Sequence, residues 1–447
     1  MTTDTENIKP VVTDDEKTKR GDSSIWGIYI ALILVSIVEC FSASSQEISG
    51  SGLAMYTPIL KHVLMLFGGF ILLFFIQRTD YKKFTPWIAL FALITLVSMV
   101  IVLTVGDYIN GAKRSFTLPG LGFSVQPAEM AKFSIVTLIA WFTARNQMVK
   151  GVTNKGVALC AISVLAYCLF IFMQGLTNTL LLMGISFSMM LIGGVQWKKI
   201  GVVVLFYAIA GSIFFYIKSE NDNKEEQYHA QMVAINTDAG EGTREVIAEK
   251  EEKKGRDATW VVRIKRFLNS DSLVYQEMNS KNSQEMYSRI AQAHGGITGV
   301  GPGNSRECSR LPLAFSDYIY SIIIEELGLI GGIVVLILYL FLLARAGMIA
   351  KKCSRAFPAL LIMGMAVMIT LQALFHMGIN TGFFPVSGQP LPLISMGGTS
   401  IFIMSMAFGV MLSVSRFAVL SNKTKEINAE KNELPAGLQA PNPMKID

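Results

Sequence analysis

The sequence predicts an all-α, polytopic membrane protein with about ten transmembrane helices and one large loop between the seventh and eighth. Two observations carry this. Of 447 residues, 51% are hydrophobic and only 16% are charged, where soluble domains carry roughly a quarter charged. The mean hydropathy is +0.45, and the apolar residues are gathered into runs near the ~20 residues a helix needs to cross a bilayer.

The first 23 residues are polar and close on Lys17, Lys19, Arg20 and Gly21. The apolar run behind them is long enough to span, so it reads as an uncleaved anchor and not as a signal peptide. Spans are expected at about 25–43, 58–77, 86–105, 128–145, 157–173, 178–196, 200–217, 317–343, 359–379 and 399–417. Basic residues in the short loops set the orientation. One side carries Arg78, Lys82 and Lys83, then Arg145, Lys150 and Lys155, then Lys198 and Lys199, then Arg345, Lys351, Lys352 and Arg355. The other side has no Lys or Arg in 44–57, 174–177 or 380–398. Both termini are therefore expected in the cytoplasm. The organisation read from this is a cytoplasmic tail 1–23, a membrane domain 24–418 and a polar tail 419–447, expected to be cytoplasmic and disordered.

The formal net charge is +6. Its basic residues flank apolar runs, so it serves orientation and does not imply a nucleic-acid partner. The five cysteines form no CxxC pair and lie mostly in spans, which argues against a disulfide framework.

Within the loop 218–316, residues 218–258 are a Glu- and Lys-rich stretch that reads as a solvated face. Residues 259–316 add Trp260, Phe267, Leu268, Tyr275, Tyr287 and Ile290, which could pack on the membrane surface. The run His294-Gly-Gly-Ile-Thr-Gly-Val-Gly-Pro-Gly303 follows. Its glycines free the backbone for positive φ and close approach to a ligand.

Three outer segments hold the polar residues that could do chemistry. In the first, Lys113 and Arg114 face outward against the orientation rule. They are either headgroup contacts or a site for an anion. Glu129 and Lys132 follow in the first turns of the fourth span, on one helix face, as a functional pair or a structural ion pair. In the second, Asp317 stands where the eighth span begins, either as its N-cap or as a general base. Glu325 and Glu326 lie about two turns deeper, where at least one must face protein or water. The third is Phe384-Pro-Val-Ser-Gly-Gln-Pro-Leu-Pro-Leu-Ile-Ser395-Met-Gly-Gly-Thr-Ser400, which contains Gly397 and Gly398. Irregular backbone at that depth survives only when enclosed by protein or lining a cavity. A base, cations and Gly/Pro loops on one face suit a substrate with a diphosphate, hydroxyls and a lipid tail. They leave both a transferase and a carrier open.

These segments resemble the SEDS family (shape, elongation, division and sporulation). Asn110-Gly-Ala-Lys-Arg is similar to its NGAxRW, and Gln126-Pro-Ala-Glu-Met-Ala-Lys to its QPSExxK. Leu311-Pro…Ser-Asp-Tyr-Ile-Tyr…Glu-Glu-Leu-Gly resembles LPxxxTDFIFxxxxEELG, and Gly388-Gln-Pro-Leu-Pro-Leu-Ile-Ser-Met-Gly-Gly-Thr-Ser resembles GxxLPxxSxGGSS. The likeness runs from about residue 25 to 417 with the motifs in order. It implies a lipid II glycosyltransferase with ten spans, with Asp317 as the essential aspartate. It also implies substrate contacts at Lys113, Arg114, Glu129, Lys132, Ser395, Gly397 and Gly398. A divalent cation, Mg2+ or Mn2+, could share the leaving-group charge. The implied partners are a class B penicillin-binding transpeptidase, other divisome proteins and membrane lipids. The Gln389 and Gly-Gly-Thr-Ser wording leans toward the septal division branch over the elongation branch. There are departures. Ser115 stands where the family has Trp, and Met173-Gln-Gly-Leu-Thr-Asn178 replaces an acidic PDxG pattern. A lipid II flippase and a non-catalytic scaffold are the rival readings; no internal repeat of the transporter kind is evident.

Overall fold

The computed structural model describes residues 21–46, 57–109, 112–117, 124–148, 151–172, 174–213, 278, 282–311, 314–385, 387–418 and 424–445. The charged stretch 218–258 lies outside the described residues, as do Trp260, Phe267, Leu268 and Tyr275.

The chain is an all-α bundle. In order come α1 (Ser23–Gln46), α2 (Thr57–Arg78), α3 (Trp87–Val105), α4 (Pro127–Arg145), α5 (Asn154–Phe172), α6 (Leu176–Ile192) and α7 (197–213). Then follow α8 (Ser283–Gly295), α9 (Ile319–Lys352), α10 (Ala356–Asn380), α11 (Gly398–Phe417) and α12 (Thr424–Glu433). Each of the ten expected spans falls on one of these helices. Seven of them are long and apolar enough to cross a membrane by length and composition. α4 is not among the seven, because it carries Glu129, Lys132 and Arg145 and relies on its neighbours to cover them.

Burial sorts the helices. α10 and α11 are the most enclosed of the seven and α2 the least. α2, α3 and α7 present outward apolar rows such as Leu60, Phe67 and Phe75, Leu93 and Val97, and Val202 and Leu205. That is the pattern expected when hydrocarbon is the outer solvent and the polar groups turn inward. Inside, small residues allow close approach. Gly364 on α10 meets Met189 of α6 and Val136 of α4, and Gly69 on α2 meets Ser405 and Ile401 of α11.

The segment between α3 and α4 is an antiparallel three-stranded sheet of β1 (Asp107–Ile109), β2 (Ala112–Thr117) and β3 (Ser124–Val125), in that order. A second hairpin, β4 (Gln147–Met148) with β5 (Gly151–Val152), joins α4 to α5 at the other end of the bundle. α9 runs to Lys352, past the expected end at 343, because its last turns carry the charged Arg345, Lys351 and Lys352 out of the apolar zone. α9 is also not one helix. Gly328 sits at φ +72 inside it and breaks the ladder.

The C-terminal tail corrects the expectation of disorder. α12 and the turn Ala436–Leu438 fold against the bundle. Leu434 and Leu438 are buried, Tyr81 donates to Glu430 (2.6 Å), and Lys82 pairs with Glu433 (2.5 Å). Arg355 donates to the carbonyls of Gln439 (2.9 Å) and Ile427 (3.2 Å). A polar composition does not predict disorder when the bundle offers sockets for its few apolar side chains and partners for its backbone. Burial, and then the Glu430 charge beside it, push the Tyr81 hydroxyl above its ordinary pKa.

Candidate active site

Asp317 lies in a turn directly ahead of α9 and is half-buried. It is not the N-cap. That position is Tyr318, which makes no side-chain capping bond. Ser316 Oγ donates to Asp317 Oδ1 at 3.3 Å.

The backbone of this turn is held from two directions. Asn380 Nδ2, at the end of α10, donates to Asp317 O at 3.1 Å. The Asn380 Oδ1 accepts from Ser321 N (3.3 Å) and Ser321 Oγ (2.9 Å), so both ends of the amide bind the start of α9. From the other side, Ser395 Oγ donates to Ser316 O at 2.7 Å, and Met396 N donates to Phe315 O at 3.0 Å. The Pro/Gly loop ahead of α11 thus grips the aspartate turn directly.

That loop is itself fixed carbonyl by carbonyl. Gln389 O accepts from His376 Nδ1 (2.6 Å) and Pro390 O from Gln372 Nε2 (3.1 Å). Pro392 O accepts from Tyr339 Oη (2.6 Å) and Ile394 O from Ser36 Oγ (3.0 Å). Buried carbonyls need partners, and here side chains of α1, α9 and α10 supply them in place of a ladder. The loop is tight enough to hold Leu393 at φ +63, the one non-glycine residue with positive φ among the described residues. Such strain persists only where surroundings over-determine it.

Ser395 is buried at the contact with Ser316, while Gly397 caps α11 and Gly398 begins it. Gln126 N, just ahead of α4, donates to Thr399 Oγ1 in the first turn of α11 at 3.0 Å. Two helix N-termini therefore meet a few residues along the chain from the aspartate clamp. Each carries a partial positive charge that favours an anion.

Glu129 and Lys132 are a closed ion pair, 2.6 Å apart and 2% and 1% exposed. Lys132 Nζ also donates to Gln372 Oε1 at 2.6 Å, and Gln372 passes its own N–H to Pro390 O. The pair is enclosed by protein and acts on the Pro/Gly loop through Gln372. Lys113 and Arg114 lie on β2, with Lys113 opposite Tyr108. Their side chains are outside the described residues.

Sequence reasoning passed over Gln372, His376 and Asn380. They stand at i, i+4 and i+8 on one face of α10 and connect, in turn, the Lys132 pair, the loop and the Asp317 turn. The signal was available: three polar residues at helical spacing inside an apolar span.

Glu325 and Glu326 are both buried, beneath the glycine run. Glu325 accepts from His294 Nδ1 (2.9 Å), Ser305 Oγ (2.5 Å) and Arg306 N (2.9 Å). A Cβ at Gly299 (φ +80) would overlap Glu326 O, and one at Gly328 would overlap Ile297 O. These two positions need glycine because the loop and the broken helix touch backbone to backbone. Among the described residues no group of three or more His, Cys, Asp or Glu is arranged to hold a metal ion.

A family model described as "Cell cycle protein" (FTSW_RODA_SPOVE) matches residues 22–239 and 257–419. The probable peptidoglycan glycosyltransferase FtsW of Bacillus subtilis is 27% identical over 416 residues, 91% of this chain and 94% of that protein. The peptidoglycan glycosyltransferase MrdB of Escherichia coli K12 is 25% identical over 407 residues, 90% of this chain and 95% of that protein. Among solved structures, a chain of a peptidoglycan synthase complex that coordinates polymerization and crosslinking aligns at TM-score 0.62 and 22% identity. It covers 89% of this chain and 98% of its own. The Thermus thermophilus rod shape determining protein RodA aligns at 0.57 and 20% identity, covering 90% and 98%. These two similarities bear on the fold.

Proposed function

The chain belongs to the FtsW, RodA and SpoVE family of cell cycle proteins, and from that membership we propose that it polymerises lipid II into β-1,4 glycan strands of peptidoglycan. The observation that carries the reading is the Asp317 turn, clamped between Asn380 and Ser395 beside two converging helix N-termini. Placement of that kind holds a base where a substrate hydroxyl can reach it.

In the proposed step, Asp317 accepts the proton of the acceptor sugar's 4-hydroxyl as its oxygen attacks C1 of the donor. The C1–O bond to the diphosphate breaks, and the polyprenyl diphosphate leaves with the bonding electrons. One displacement converts an α-linked donor to a β product. Charge growing on the diphosphate is met by Lys113, Arg114 and the N-termini of α4 and α11. Lys132 is already bound to Glu129 and Gln372, so its part is to hold the loop.

The outer face carrying Asp317 is assigned to the periplasm and both termini to the cytoplasm of the inner membrane. The wording at Gln389 and 397–400 favours a septal, division role. The likeness to a synthase complex favours a penicillin-binding transpeptidase as partner. The test is Asp317→Asn in purified protein with that partner and labelled lipid II. Polymer formation is expected to fall at least about 100-fold with an unchanged unfolding midpoint. Unchanged polymerisation would remove Asp317 from its role. Transport of lipid II with no polymer from either form would replace the enzyme by a carrier.

A further inference from the structure

Glu39 of α1 is 0% exposed, and neither of its carboxylate oxygens has a hydrogen-bond partner among the described residues. It lies one helical turn before Ser42, on the same face. Ser42 Oγ donates to Glu326 Oε1, and the other oxygen of Glu326 has no partner either. The face of α1 that carries Glu39 and Ser42 thus meets Glu326 on α9, and the two carboxylates repel each other across the contact. No basic side chain is paired with either, among the described residues. The neighbouring Glu325 differs. Its oxygens are taken by His294, Ser305 and Arg306 N.

Two buried carboxylates side by side cannot both remain charged and uncompensated. Burial strips each charge of water, and their repulsion adds to that penalty. The backbone N–H groups of Gly303 and Ser305 face Glu326, but the remaining charge has to be met by a proton or by a bound cation. The donors on hand are all oxygen: two carboxylates and the Ser42 hydroxyl. Oxygen donors with a combined charge of minus two suit a hard divalent cation. The contact is also reachable. Gly303, exposed in the glycine run, donates its N–H to Ser42 Oγ at 3.0 Å, so the site lies one hydrogen bond beneath the surface.

We propose that Glu39, Glu326 and Ser42 bind one divalent cation, which fastens α1 to the broken segment of α9 beneath the glycine run. The site is separate from the Asp317 turn and requires no lipid substrate, so it stands or falls independently of the polymerase reading.

The experiment uses the full chain in detergent, stripped with chelator, with no lipid II present. Thermal unfolding is followed while Mg2+, Mn2+ or Ca2+ is added, and Mn2+ bound per chain is counted by electron paramagnetic resonance. In the wild type the midpoint is expected to rise by about 3 °C or more at saturation. Glu39→Gln should abolish that rise, bind one Mn2+ fewer, and in the absence of metal unfold no lower than the wild type, because one buried charge is gone. Ser42→Ala keeps both carboxylates and serves if Glu39→Gln does not fold; it should weaken Mn2+ binding at least several-fold. Equal metal responses in the wild type and the variants would overturn the proposal. So would a wild-type midpoint that follows pH between 5 and 8 and ignores every metal, since the pair would then be holding a proton.

Discussion

Glu129 and Glu39 are both carboxylates sunk in the bundle, and the chain treats them in opposite ways. Glu129 is answered from within. Lys132 stands three residues on, and Gln372 closes the remaining hydrogen bonds. Glu39 is answered by nothing basic among the described residues, and the charge acting on it is a second carboxylate. The first arrangement is complete as encoded and can serve as a fixed brace. The second is complete only with something added. A buried acid is thus a brace or a binding site according to whether the sequence also supplies its counter-charge.

That contrast can be broken by making the first site resemble the second. Lys132→Met strands Glu129, and the expected loss is about 3–5 kcal/mol, read as a drop in the unfolding midpoint. Adding Glu129→Gln to it should recover part of the loss, and a double-mutant cycle gives the coupling. If Lys132→Met costs nothing, the pair is not a brace. A finer cut is Gln372→Leu, which keeps the ion pair but leaves Pro390 O without its donor. About 1–3 kcal/mol is expected, with polymerisation reduced because the loop holding Ser316 slackens.

The smallest effect belongs to a third carboxylate, outside the apolar zone. Asp22 caps α1 by accepting from Ser24 N (3.0 Å) and Ile25 N (3.2 Å), and it pairs with Arg345 at 2.6 Å. Burial acts to raise its pKa, but the Arg345 and backbone hydrogen bonds outweigh it and leave the carboxyl below its ordinary value. A depressed folded value means the pair stabilises fully above the ordinary carboxylate range. That contribution fades as pH falls through the folded value. Asp22→Asn should cost about 1 kcal/mol at neutral pH and flatten the decline below about pH 4. An unaltered acid limb would remove Asp22 from the acid response.

The spans were legible in the sequence because length and hydropathy are local properties. Even α4, polar for a span, was legible as the apolar run 128–145. Asp317 and the Pro/Gly loop were legible as motifs. What was not legible depends on who stands across the bundle. Tyr81 and Arg355 give the polar tail its sockets, and nothing in 419–447 announces them. Gln372, His376 and Asn380 look like scattered polar residues until α10 is seen running from the Lys132 pair to the Asp317 turn. Glu39 passed unnoticed for the same reason. Its meaning lies in Glu326, 287 positions along the chain.

The carbonyl grips on the loop before α11 have a mechanical consequence. Residues 389–394 are tied to α1 through Ser36, to α9 through Tyr339 and to α10 through Gln372 and His376, by bonds of 2.6 to 3.1 Å. Bonds that short weaken within a few tenths of an ångström of stretch. A tilt of any one of these helices against the other two must therefore either snap a tether or drag Ser395, and with it the carbonyl it holds at Ser316. The loop acts as a junction that adds up the relative positions of three helices and reports the sum at a single aspartate.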